Sequence, residues 1–76
     1  MTPADLIRAG EALHGLTWRR PLARDLGIHE RTIYRWAEGS RKIPPGVQGE
    51  LAGLIHTRLT VLVALALELD RLVDEP

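Results

Sequence analysis

The sequence predicts an all-α fold, a compact helix-turn-helix bundle of about four to five helices with a long apolar C-terminal helix for dimerisation. Three observations carry this prediction. Apolar residues recur at helical spacing, as in Leu22, Ala23 and Leu26 or Ile33, Trp36 and Ala37. Glycines stand just past three such stretches, at Gly15, Gly27 and Gly39, where a left-handed backbone ends a helix. From about Val47 to Val73 no residue breaks the helical pattern decisively, although Gly49 and Gly53 weaken its first turns. At 76 residues the chain is expected to form one domain with a core of marginal stability, so help from a partner chain is anticipated. Residues 1–46 supply the helix-turn-helix region, and residues 47–76 a helix that packs on it and forms the dimer interface.

The first helix begins at Thr2-Pro3-Ala4-Asp5. Thr2 caps it, Pro3 has the preset φ of a first helical position, and Asp5 completes a capping box. Leu6, Ile7, Gly10 and Leu13 share one face. Glycine inside a helix costs about 1 kcal/mol relative to alanine, so Gly10 is read either as a point of close contact with a neighbouring helix or as plain tolerance. His14 lies in the last turn, suited to the helix C-terminus.

A proline is harmless only in a first turn, so Pro21 sets the start of the second helix near Arg19, with Trp18 at or just before its cap. Trp18 is then a packing residue closing the base of the bundle, the alternative being a stacking platform for a base. Arg24 and Asp25 fall inside this helix, on the surface or in intramolecular pairing. Gly27 stops the helix, and Ile28 can fold back as an apolar plug. The third helix runs from Glu30 to Glu38, with Ile33, Trp36 and Ala37 inward and Glu30, Arg31, Tyr34, Arg35 and Glu38 outward. His29 takes the cap position, where histidine is a poorer choice than a short hydroxyl or amide.

Two helices separated by about three residues around a glycine cross steeply, as in a helix-turn-helix. The second is left protruding, at a width that fits the major groove of B-form DNA. The pattern from Leu22 to Pro44, L-A-x-x-L-G-I-x-x-x-T-I-x-R-W-x-x-G-x-R-x-I-P, resembles the lambda-repressor-like (Cro/CI, XRE) family, over roughly residues 4 to 55. The resemblance implies a bundle whose second and third helices bind operators. It implies base contacts from Glu30, Arg31 and Arg35, with Tyr34 bordering the groove. Arg31 and Arg35, four apart, can each make a bidentate contact to guanine, and Glu30 can accept from cytosine or simply favour the positive end of its helix. Phosphate contacts are implied for Arg19 and Arg20 in the first turn of the second helix and for His29. Thr32 is assigned to phosphate or packing. Ser40, Arg41 and Lys42 match the family's phosphate-binding loop, where paired cations add salt-sensitive affinity.

Net charge is zero, but its distribution is lopsided. Residues 1–42 hold eight Arg or Lys against five acids, giving +3, and residues 43–76 hold two against five, giving −3. That is the balance of a basic front and an acidic back. The chain has no cysteine, so no disulfide framework or thiolate metal site is expected. No signal peptide is apparent, and a soluble cytoplasmic protein is expected.

The segment Leu59 to Leu69 is apolar almost all round. Eleven residues of helix span about 16 Å, too short for a bilayer core of about 30 Å, so the segment is expected to be buried in protein. Leu51, Ile55, Leu62, Leu65, Leu69 and Leu72 repeat at three to four residue intervals, a seam suited to a partner helix. Dimerisation is assigned to Leu62, Leu65, Leu69 and Leu72, with His56 and Arg58 at the polar edge. The alternative is a fourth and a fifth helix folding back, with a break near His56 to Thr60.

The expected partners are therefore double-stranded DNA and a second copy of the chain, a two-fold dimer on half-sites about 34 Å apart. The expected role is a transcriptional repressor. The resemblance and the small size further imply a phage or mobile-element autorepressor, such as an anti-CRISPR-associated regulator. The competing class is a protein–protein interaction module, an antitoxin or accessory factor, using the apolar helix. An enzyme is not expected, nor a cofactor, metal, membrane or small-molecule substrate, because the three histidines fall on different elements and no paired acids share a pocket.

Overall fold

The computed structural model describes residues 1–73 as four α-helices and a short 3₁₀ turn. Helix α1 spans Pro3–His14, the 3₁₀ turn Gly15–Thr17, α2 Arg19–Leu26, α3 Glu30–Glu38 and α4 Pro45–Val73. The all-α fold class holds, with no strand among the described residues. Asp74 and Glu75, which enter the acidic tally of the back half, lie outside the described residues.

The helix termini follow local chemistry. At the start of α1 the Thr2 hydroxyl accepts from the Asp5 amide at 3.2 Å, and the Thr2 amide donates to the Asp5 carboxylate at 3.0 Å. The bond from the Thr2 amide, then those from the Arg8 guanidinium and the Thr2 hydroxyl side, lower the Asp5 pKa from 3.8 to about 2. Helix α2 ends in a Schellman motif. Gly27 sits at φ 68°, and Ile28 donates to the Ala23 carbonyl at 3.0 Å. Ile28 packs against the core as the expected plug. Helix α3 ends the same way, with Gly39 at φ 82° and the Ser40 amide on the Arg35 carbonyl at 3.1 Å.

Leu6 and Leu13 of α1, Trp18, Leu22 and Ala23 of α2 and its cap, Ile33 and Trp36 of α3, and Val47 and Leu51 of α4 form one core. Trp18 is 1 % exposed, which makes it the packing residue and rules out a stacking platform for a base. Its ring lies against Gly10, where an added Cβ would come within 2.1 Å of it. The close contact read at Gly10 is therefore real, made by the tryptophan that begins α2. Two polar contacts between sequence-distant residues fix the arrangement. His14 Nε2 meets the Asp25 carboxylate at 2.6 Å, so its partner is the side of α2 and not only its own helix end. Arg58 donates to the Leu13 carbonyl at 2.9 Å, placing a cation on an orphan carbonyl at the end of α1.

Helix α4 is the long C-terminal helix expected, one unbroken run of 29 residues, and the alternative with a break near His56 to Thr60 is absent. It starts at Pro45, two residues before Val47, because proline suits a first helical position. Leu51, assigned to the partner seam, is 2 % exposed within the chain's own core. Leu51 is therefore taken up by the chain's own bundle and is not open to a partner.

Only the first part of the chain is a compact bundle. The outer part of α4 projects from it and draws the molecule out to 56 × 21 × 21 Å. Leu59, Val61, Leu62, Val63, Leu65, Leu67, Leu69 and Leu72 are all exposed. By length and composition Pro45–Leu72 is able to cross a membrane, with a mean hydropathy of 1.6 over its most apolar window. The estimate of about 16 Å measured the apolar run alone and not the helix that contains it.

Candidate nucleic-acid interface

Helix α3 is held by one face and bare on the other. Ile33 is fully buried and Trp36 5 % exposed, whereas Arg31, Arg35 and Glu38 are exposed and Tyr34 is 44 % exposed. Glu30 and Thr32 are half-buried at its first turn. The structure thus brings Glu30, Arg31, Tyr34 and Arg35 together along one outward strip. Four-residue spacing stacks Arg31 and Arg35 on one side of it.

His29 works as a cap despite its low ranking. Its Nδ1 accepts from the Arg31 amide at 3.0 Å, the bond that an Asn or Ser side chain makes at this position. Because Nδ1 accepts, the ring proton of the neutral form resides on Nε2. That N–H is left to donate outward, so capping and a phosphate contact use different nitrogens of one ring.

The start of α2 lies beside this strip. The Arg19 guanidinium is centred 4.9 Å from the Trp18 ring and 5.2 Å from the Tyr34 ring, cation–π distances to both. Its Nε is enclosed without a hydrogen-bond partner. The two rings, one from each helix of the helix-turn-helix, therefore fix Arg19 in place. Thr17, Arg19, Arg20, Glu30 and Tyr34 line an open cleft between the two helices. Trp18 gives α2 no side-chain cap, so the first-turn amides of α2 carry a partial positive charge toward the cleft. Sequence reasoning assigned Arg19 to phosphate but missed its packing role, because the ring from α3 reaches it only through the crossing of the two helices.

After α3, Ser40, Arg41 and Lys42 are exposed. The Ser40 hydroxyl donates to the Arg35 carbonyl at 3.2 Å, so its proton is engaged in closing the helix and its oxygen can only accept. The Arg41 amide also reaches the Arg35 carbonyl, at 3.3 Å, tying the loop to the end of α3. Among the described residues, Arg20, Arg31, Arg35, Arg41 and Lys42 form no ion pair; the two pairs present are Arg8–Asp5 and His14–Asp25. Three unpaired cations, Arg20, Arg41 and Lys42, and the α2 amides thus flank the exposed strip of α3, which itself carries Arg31 and Arg35. Among the same residues no group of His, Asp and Glu is arranged to hold a metal ion.

Comparison with family models, with curated proteins and with solved structures returned no match.

Proposed function

We propose that the chain is a sequence-specific double-stranded DNA-binding transcriptional regulator, a homodimeric repressor of the lambda-repressor-like kind that binds a palindromic operator through α3. The observation that carries this reading is the outward strip of α3, with Arg31 and Arg35 exposed and unpaired, between the start of α2 and the Ser40-Arg41-Lys42 loop. Cations at both edges suit two phosphate backbones, and the strip between them suits base edges. Net neutrality does not oppose this, because contacts at phosphate depend on local charge.

A cytoplasmic setting belongs to the same proposal. The span that qualifies α4 for a membrane, Pro45–Leu72, includes Leu51 and Arg58, and both are engaged by the bundle. Leu59 to Leu72 alone extends about 21 Å, short of a bilayer core of about 30 Å. The second reading, an interaction module without DNA binding, draws support from the exposed outer half of α4.

A binding titration across operator variants tests the proposal once a site has been selected from random duplexes. Arg31→Ala is expected to lose about 1–3 kcal/mol at one base pair and to relax discrimination there. Lys42→Ala is expected to weaken all sequences alike and to lower the salt slope by about one. Equal losses on every sequence for Arg31→Ala remove the base-reading role. A chain that shifts no duplex at low salt leaves the interaction module as the better reading.

A further inference from the structure

The stripe of α4 that grips the bundle continues past it. At about 100° per residue, Val47, Leu51, Leu54 and Arg58 fall in one arc of the helix, and Leu62, Leu65, Leu69 and Leu72 fall in the same arc. The first set is engaged within the chain. Val47 and Leu51 are buried, Leu54 packs against the core, and Arg58 holds the Leu13 carbonyl. The second set is bare, at 53 %, 47 %, 52 % and 54 % exposure. Where the two meet, Ala12, Leu13, Ile55 and Leu62 border a cleft beside Arg58, open at the edge of the bundle.

Heptad spacing links Ile55, Leu62 and Leu69 as one row and Arg58, Leu65 and Leu72 as the other. In a parallel pair each row meets its own copy, so Arg58 faces Arg58. In an antiparallel pair the rows exchange partners. Leu62 then packs on the second copy's Leu65, Ile55 on its Leu72, and Arg58 opposite its Leu69, beside its Glu68, which borders the stripe about 80° from its centre. The cation in the stripe thereby meets an acid, and Arg58 has donors beyond the one on the Leu13 carbonyl.

We infer that the outer half of α4 pairs antiparallel with a second copy of this chain, each helix tip at Leu69 and Leu72 lying in the cleft beside Arg58 of the other. The inference rests on the homodimer reading above and adds its direction and register. Val63 and Leu67 lie roughly 140° and 180° round the helix from the centre of the stripe and take no part.

The absence of cysteine makes single-cysteine variants of the full chain clean probes. Ile55→Cys and Leu72→Cys proteins, mixed, allowed to exchange and oxidised, are expected to give a covalent mixed dimer, and neither is expected to cross-link alone. Cross-linking of each variant alone, with no excess in the mixture, indicates a parallel pair and overturns the direction while leaving the homodimer. Glu68→Arg is expected to weaken the dimer at least tenfold by light scattering. Leu65→Glu is expected to abolish it, and Leu67→Glu to leave it unchanged. An unsubstituted chain that stays monomeric at micromolar concentration overturns both the inference and the homodimer. If that monomer floats with phosphatidylcholine vesicles, the occupant of the stripe is lipid; if it does not, the stripe belongs to another protein.

Discussion

Gly10 and Trp18 are one packing decision made by two residues. The indole fills the space a side chain at position 10 would need, with ring carbons at 2.1, 2.5 and 2.8 Å from an added Cβ. Gly10→Ala should therefore gain helix propensity and still lose stability, by about 1–3 kcal/mol, the usual cost of overpacking a filled site. Thermal unfolding checks the sign, and a variant more stable than the parent refutes the close packing. Asp5 offers a second test at this scale. Its hydrogen bonds lower its folded pKa from 3.8 to about 2, so the carboxylate contributes stability above about pH 4 that is lost as pH falls toward 2. Melting temperatures of the parent and Asp5→Asn should differ at pH 5 and converge on acidification through that window.

At the scale of elements, much was legible because single residues dictate backbone geometry. Gly27 and Gly39 mark helix ends since their positive φ excludes most side chains, and Pro21 fixes the first turn of α2 by its missing N–H. What escaped depends on how helices cross. The Arg19 sandwich, the His14–Asp25 contact and the Arg58 bond to the Leu13 carbonyl join residues on different elements. Periodicity records which face is apolar but not which side chain meets it. His29 is the exception at an end, a cap whose two ring nitrogens divide two tasks. His29→Ala should cost about 1 kcal/mol of stability, and His29→Asn should recover most of it. Binding to duplex should fall for both if Nε2 donates to phosphate, because asparagine restores the cap without that reach.

For the whole molecule, the apolar girth of α4 misled in one direction and informed in another. Spacing alone ran the seam from Leu51 to Leu72, but the bundle takes Leu51 and Leu54 and leaves Leu62 onward. No periodic pattern announces where a helix passes from its own core to open surroundings, since the same leucines serve both. The split in charge between residues 1–42 and 43–76 was legible because it needs only counting. The side of the bundle on which its cations gather was not, because that depends on the crossing of α2 and α3.

The continuity of α4 makes residue count a matter of phase. Leu51, sunk in the core, and Leu72, near the far end, ride on a single uninterrupted screw. One residue inserted at Thr60 turns the tip by about 100° and should uncouple two copies without unfolding either. Seven inserted residues nearly restore the angle, the misfit being about 20°, and lengthen each arm by about 10 Å. Such a chain should pair again yet demand half-sites set farther apart, so that the gap in a selected operator becomes a ruler laid along the protein.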